Sequence, residues 1–267
     1  SRLCIPVSKG SSRAHAMLSM GYSMNGGYVS ANAREGRQQG GCTTMQRAKQ
    51  ISESIELGII LALAGGFMDV YSYIGRDHVF ANAQTGNIVL FGLHLADGEW
   101  MQAGTYIIPV LAFVLGIFID EWIKKFISPL PKVHWRQIVL LFEIAMLSIV
   151  AWLPFGERHD IVANVLVSFV CSMQVQSFRK VHGLPYASTM CTGNLRSGTE
   201  LLFRFVQSGD KELRYKSLHY YGVIFFFILG AGCGALVTQH FGSTTIVYCN
   251  ILLLLTCALL SIEHVEE

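Results

Sequence analysis

Two acids and a repeated tripeptide are the residues of this chain whose types and settings could do chemistry. Asp69 stands in Gly65-Gly-Phe-Met-Asp-Val-Tyr-Ser-Tyr73, near the end of a long apolar run. Glu143 stands in the middle of Ile138-Val-Leu-Leu-Phe-Glu-Ile-Ala-Met-Leu147, seven residues past Arg136. At 1.5 Å per residue that puts Glu143 about 10 Å into its helix. A carboxylate inside a bilayer costs about 2.5–3.5 kcal/mol even on the lenient insertion scale. Such a group therefore faces the protein interior, a water-filled space or a cation. For Asp69 the readings are a proton or cation site, a substrate contact, an interfacial carboxylate, or an ion pair with Arg76 two turns on. For Glu143 they are a proton carrier or a structural hydrogen bond to another helix.

The tripeptide is Thr-Gly-Asn. It occurs at Thr85-Gly86-Asn87, inside Phe80-Ala-Asn-Ala-Gln-Thr-Gly-Asn-Ile-Val-Leu-Phe91, and again 107 positions later at Thr192-Gly193-Asn194. Glycine allows close backbone approach and φ > 0, while Thr and Asn bond free backbone groups or cap helices. At membrane depth, irregular backbone survives only when buried in protein or lining a cavity. The two copies either cap two half-helices or also coordinate a solute. Helix N-termini carry partial positive charge, which suits an anion. The second copy adds Arg196 and the first has no counterpart, so a shared site would be asymmetric. Asn82, Gln84 and Gln176 extend the polar set.

The elements that must position these residues are membrane helices. Apolar residues make up 52% of the 267 and charged residues 14%, against roughly 25% charged in a soluble domain. Mean hydropathy is +0.43. The net charge of +2 gives no reason to expect a nucleic-acid partner; the bilayer is the partner. The seven cysteines contain no Cys-x-x-Cys, and the histidines no paired metal-ligand spacing, so neither a metal nor another cofactor is expected. No nucleophile elbow or phosphate loop is present, and no enzymatic activity is expected. Gly230-Ala-Gly-Cys-Gly234 reads as a small-residue packing seam.

Residues 1–44 are rich in Gly, Ser, Arg and Met without periodicity, and read as a disordered tail or an upstream translation artefact. Residues 45–267 form one membrane domain. Its hydrophobic segments lie at about 55–74, 85–96, 103–122, 136–153, 161–178, 187–206, 217–238 and 243–262. Crossing ~30 Å of hydrocarbon takes ~20 helical residues. The 85–96 segment is too short, and Arg196, Glu200 and Arg204 interrupt 187–206.

Loop charge decides between eight crossings and six. Basic clusters fall at Arg47/Lys49, Lys124/Lys125/Lys132/Arg136, Arg179/Lys180 and Lys211/Arg214/Lys216. They share one side only if both Thr-Gly-Asn segments fail to cross. Arg76 and Arg158 are then left on the other side, each near an acid (Asp77, Glu157). The positive-inside rule selects that topology, with both termini cytoplasmic. The fold class is therefore an all-α polytopic membrane protein of six crossing helices and two partial helices. It reads as an internal repeat of about 55–153 and 161–262. Three crossings per copy is odd, so the second copy is inverted, as in many secondary transporters.

Three stretches carry a family resemblance: Gly65 to Tyr73, Val79 to Leu90 and Phe178 to Ser197. They resemble the YoaK family of bacterial inner-membrane proteins, over roughly residues 50–262. The resemblance implies a multi-spanning membrane protein and no established activity. The residues themselves suggest a small secondary transporter or permease, its solute or ion lined by Asp69, Asn82, Gln84, Thr85, Asn87, Gln176, Thr192, Asn194 and Arg196, with Glu143 as proton carrier. The contrasting reading is a non-transporting assembly or scaffold subunit, or a small channel; an integral-membrane enzyme comes third. The sequence does not fix an oligomeric state.

Overall fold

Glycine against backbone sets the closest helix contacts of this protein. The computed structural model describes residues 55–128, 135–181, 184–185 and 191–266. The reading of residues 1–44, and Lys132 and the Arg47/Lys49 cluster, lie outside them. Among the described residues the chain forms eight α-helices: α1 (Ile55–Gly75), α2 (Gln84–Ala96), α3 (Trp100–Ile127), α4 (Trp135–Trp152), α5 (Glu157–Ser177), α6 (Cys191–Ser208), α7 (Lys211–Phe241) and α8 (Val247–Glu266). A five-residue 3-10 turn, Gly242–Ile246, joins α7 to α8. A two-residue antiparallel ribbon, β1 (Lys180–Val181) with β2 (Leu184–Pro185), follows α5.

α1 and α7 run side by side in the same direction. A Cβ on Gly66 would strike the carbonyl of Phe227, and one on Gly230 the carbonyl of Leu63. Gly234 faces Phe67 while Gly232 faces open space, so the small-residue seam packs on one side only. This is the packing role expected of it, and it lets two backbones touch where side chains would hold helices 8–10 Å apart. The pair α3 and α5 uses the same device, with Gly116 set against the carbonyl of Phe169, 2.7 Å from where a Cβ would lie.

Cross-helix bonds fix the remaining directions. Leu61 and Arg76, at opposite ends of α1, meet Gln174 and Asp160, so α5 runs antiparallel to α1. Tyr71 bonds the carbonyl of Ser243 in the 3-10 turn, and Cys249 lies against the carbonyl of Ala64, so the chain doubles back and α8 runs antiparallel to α1. Asn250 on Ser148, with Gln137 on Ser261, sets α4 antiparallel to α8. Asp120 with Ser177, and Gly116 with Phe169, set α3 parallel to α5.

Two faces follow. One gathers the start of α1, the end of α3, the start of α4, the end of α5 and the start of α7. It carries Lys124, Lys125, Arg136, Arg179, Lys211, Arg214 and Lys216, and we term it the basic face. The other is marked by Arg76. α1 ends and α3 begins on the Arg76 face; α5 ends and α7 begins on the basic face. Neither α2 nor α6 therefore adds a net crossing.

Five stretches are long and apolar enough to cross a bilayer, and the fifth, Lys211–Ser261, doubles back at the 3-10 turn to give two passes. The apolar windows of α1 and α5 are 67% and 61% buried, while those of α3 and α4 are 28% and 33%. The first two are core helices; α3 and α4, with the Lys211–Ser261 stretch at 22% buried, form the lipid-facing wall. That wall exposes Leu115, Phe118, Trp122, Phe225, Ile228 and Leu236, an apolar surface that water would not tolerate at about 25 cal/mol per Å².

Pairing obeys a simple exchange. α1 packs on α7 as α5 packs on α3, α2 on α3 as α6 on α7, and α1 on α8 as α5 on α4. The pairs α1 with α5 and α4 with α8 map onto themselves; α3 on α4 breaks the exchange, since α7 and α8 are held apart by the 3-10 turn that packs on α4 and α7. Since α5 is antiparallel to α1, the exchange reverses direction.

Candidate functional site

The segment between α1 and α2 turns back into the bundle, and its causes are visible residue by residue. Asp77 and His78 both adopt left-handed backbone, φ 60° and 57°, a conformation that costs non-glycine residues roughly 1–2 kcal/mol each. Ahead of this reversal, Arg76 fixes the end of α1. Its guanidinium is fully buried and donates to Asp160 at 2.9 Å, to the hydroxyl of Tyr71 and to the carbonyls of Val150, Leu153 and Pro154. The ring of Phe155 stacks 4.7 Å from it. Arg76 thus pairs with Asp160, not with Asp69 as one of the readings of that acid had it. Beyond the reversal, Val79 and Ala81 are buried and Tyr73 stacks on Phe80.

Asp69 holds the bottom of this limb. Its carboxylate accepts the N–H of Asn82 at 2.7 Å, and the amides of Ala83 and Ala81 converge on the same group. The Asn82 side chain donates to the carbonyl of Gly65 at 3.1 Å. Gly65 lies ten residues before the end of α1, so Asn82 sits about 15 Å below the Arg76 face, roughly midway through a ~30 Å hydrocarbon layer. From there α2 climbs about 20 Å over its 13 residues, returning to the face from which α1 left. The positive end of α2 is met by Asp69, a resident carboxylate in the role envisaged for an anionic solute.

Thr85-Gly86-Asn87 is the first turn of α2 itself, not a loop before it. The N-cap is Ala83, with no side-chain cap bond. Asn87 reaches backwards: its Nδ2 donates to the carbonyl of Phe80 at 2.7 Å and to Gln84 Oε1, while its Oδ1 accepts the Phe80 N–H at 3.0 Å. Gln84 Nε2 bonds the carbonyl of Ala81. Asn87 and Gln84 therefore staple the descending limb to the rising helix. α6 starts in the same register, with Thr192, Gly193 and Asn194 as its second to fourth residues. In both copies Asn is buried and Thr exposed.

The structure brings together Asp69, Asn82, Gln84 and Asn87. Cys191, the first residue of α6, lies within electrostatic reach of Asp69. Thr85, Thr192 and Arg196 are exposed. Gln176 is half-buried at the end of α5, where its amide bonds Glu121. Gln174 bonds the carbonyl of Leu61 across helices.

Further in, α5 presents Asn164, Ser168, Cys171 and Gln174, all buried. Asn164 donates to the carbonyl of Arg76. Cys171 lies within reach of Asn82, Asp69 and Glu143. Glu143 is fully buried, and neither of its oxygens has a hydrogen-bond partner. Asn82 Oδ1, Asn164 Oδ1, Ser168 Oγ, Gln174 Oε1 and Asp120 Oδ2 are also buried acceptors with no protein partner. Each such group costs about 1–3 kcal/mol unless something bonds it, so this interior is chemically unsaturated along α5. Among the described residues no three His, Cys, Asp or Glu side chains form a metal-ligand group.

Sequence reasoning missed Asp120 and Asp160. Asp160 is written one position beyond His159 in a polar linker, and only the fold brings it to Arg76. Asp120 ends an apolar run beside Glu121, which disguises it as an interfacial acid.

The architecture defines a multi-pass helical membrane protein with a re-entrant helix. Residues 57–259 match the family described as protein of unknown function (DUF1275), and the chain belongs to that family. It is similar to UPF0700 transmembrane protein YoaK of Bacillus subtilis (strain 168), with 28% identity over 144 residues. That stretch covers 52% of this chain and 62% of the relative, less than two thirds of its length. No solved structure matches the chain.

Proposed function

We propose that this protein is a small secondary transporter or permease of the bacterial cytoplasmic membrane, with both termini cytoplasmic. It takes a small polar solute or ion between the starts of α2 and α6. One observation carries the reading: a re-entrant helix starts at mid-depth inside a bundle in which most helix pairs survive exchange of its halves with direction reversed. Secondary transporters built on inverted repeats set their substrate sites at such interrupted helices. The unpartnered acceptors of Asn82 beside Asp69, and of Asn164, Ser168 and Gln174 along α5 from the Arg76 end to Leu61, offer a solute hydrogen-bond positions.

Asp69 and Asn87 then act by positioning, since their own bonds go to the backbone of residues 80–83. A non-transporting scaffold is the second reading, and that same internal satisfaction favours it. The deciding experiment is a metabolite-uptake screen in cells expressing wild type, Asp69→Asn, Asn87→Ala or Asn194→Ala. A transporter gives uptake of at least one metabolite that falls about tenfold in each variant. Equal uptake in all four removes these residues from the site, and no uptake by the wild type favours the scaffold.

A further inference from the structure

The open positions of this interior are all of one kind. Among the described residues, every acid, amide or hydroxyl atom that is buried without a partner is an oxygen, and no amide nitrogen is left over. Three amides show why. Asn82 donates to the carbonyl of Gly65, Gln174 to that of Leu61 and Asn164 to that of Arg76. Turning any of them over would set an amide oxygen against a carbonyl oxygen. The orientation is therefore fixed, and each amide oxygen stays open. Along α5 the open oxygens of Asn164, Ser168 and Gln174 follow one another at about 6 Å and then about 9 Å of helix rise.

Glu143 stands at the middle of this line. Arg136 bonds the carbonyl of Ser177, and the ring of Phe142 lies 6.1 Å from that of Phe169, so Glu143 comes level with residues 168–170 of α5. It falls on the buried side of α4 between Leu140 and Leu147, which pack in one core with Met68, Val167, Val170 and Cys171. No resident cation serves it. Arg76 is the one buried Lys or Arg among the described residues, and its guanidinium is paired with Asp160. It reaches α4 at Val150, seven residues and about 10 Å beyond Glu143.

An ionised carboxyl without donors needs a countercharge in such an interior, and open amide oxygens need donors. A cation that carries N–H groups meets both needs. Oxygens strung over about 15 Å of helix cannot converge into the shell of about six that a hard metal ion collects. We propose that the solute is a linear diamine. One ammonium lies at the level of Glu143 and Ser168 and the other at Gln174, with the methylenes between them against the apolar core. Asn164 does not take the second ammonium, because it stands one turn from Asp160 and meets the like charge of the Arg76 guanidinium there. Binding of the diamine stands on this geometry; its passage across the membrane rests on the transporter reading above.

The test is thermal unfolding and isothermal titration of the full chain in detergent at neutral pH, with putrescine, succinate and sodium chloride. Putrescine should stabilise the protein saturably, whereas succinate, of similar length and opposite charge, and sodium should not. Glu143→Gln should leave the ligand-free protein at least as stable while weakening putrescine at least about tenfold, and Gln174→Met should weaken it about fivefold. Absence of putrescine binding overturns the diamine, as does saturable stabilisation by succinate or equal stabilisation by sodium. Putrescine affinity unmoved by both variants overturns its position. Should Glu143→Gln fail to fold, Gln174→Met decides. Uptake into proteoliposomes separates the readings. Putrescine that binds without any solute being taken up sinks the transporter and leaves the site. Uptake of an uncharged metabolite that putrescine does not inhibit sinks the diamine and leaves the transporter.

Discussion

α2 and α6 open with the same three residues in the same register, and their surroundings differ. α2 is apolar outside, exposing Ile88, Val89 and Leu93, and its start is tied down by an acid from the neighbouring crossing. α6 exposes Arg196, Glu200 and Arg204 and folds back along α7, which at 31 residues is longer than any bilayer requires. The repeated element is the inward-facing Asn, while the outward residues have diverged to suit lipid in one copy and a wetter surface in the other. In α2 the motif staples the helix start to the limb before it; in α6 the same Asn is buried in the same register.

The comparison breaks most visibly at Asp69. Asp69→Ala leaves the amides of residues 81–83 without an acceptor and should cost about 3 kcal/mol in detergent unfolding. It should also raise the maleimide reactivity of a single cysteine at Ala81 at least tenfold. An unreactive Ala81→Cys in that background would show that the limb holds without its acid.

Next come the two buried asparagines. Asn87→Ala and Asn194→Ala should each lose about 1–2 kcal/mol. A loss confined to Asn87 would mean that only the first copy keeps the device. The glycines then separate the copies by sign. A Cβ on Gly86 would sit 2.9 Å from the Phe80 ring, whereas one on Gly193 meets nothing within 4 Å. Gly86→Ala should cost about 1 kcal/mol and Gly193→Ala should gain roughly 0.5–1 kcal/mol from helix propensity; thermal unfolding of both reads the difference. The smallest effect belongs to Arg204→Ala. Its ion pair with Glu200 is more than half exposed on both sides, so less than about 0.5 kcal/mol is expected in the same assay.

Much of this was legible in the residues because the deciding physics is local. The short apolar run at 85–96, the charges inside 187–206 and the one-sided basic clusters follow from composition and spacing, and they give six crossings and two partial helices. The Gly230–Gly234 seam was legible for the same reason. The origin of the re-entry was not. Asp69 finds its amide 13 positions away and Arg76 its carboxylate 84 positions away, and neither distance is written in a pattern. Thr-Gly-Asn was legible as a pair but read as a helix cap, because the same residues cap helices as readily as they begin them. Asn87 acts on residue 80, behind the helix, and only coordinates reveal that.

Direct touching of α1 and α7 has a consequence for how the chain is made. Gly66 waits for Phe227 and Leu63 for Gly230 on α7, and beyond them Tyr71 waits for a partner 172 residues downstream in the 3-10 turn and Ala64 for one 185 downstream on α8. At 5–20 residues per second, synthesis leaves α1 without its companions for on the order of 10–30 s. For that interval the most buried crossing of the finished protein must rest in lipid or against the insertion machinery, with glycines bare along its flank. Codon choice between α1 and α7 is therefore a lever on yield, acting through timing alone.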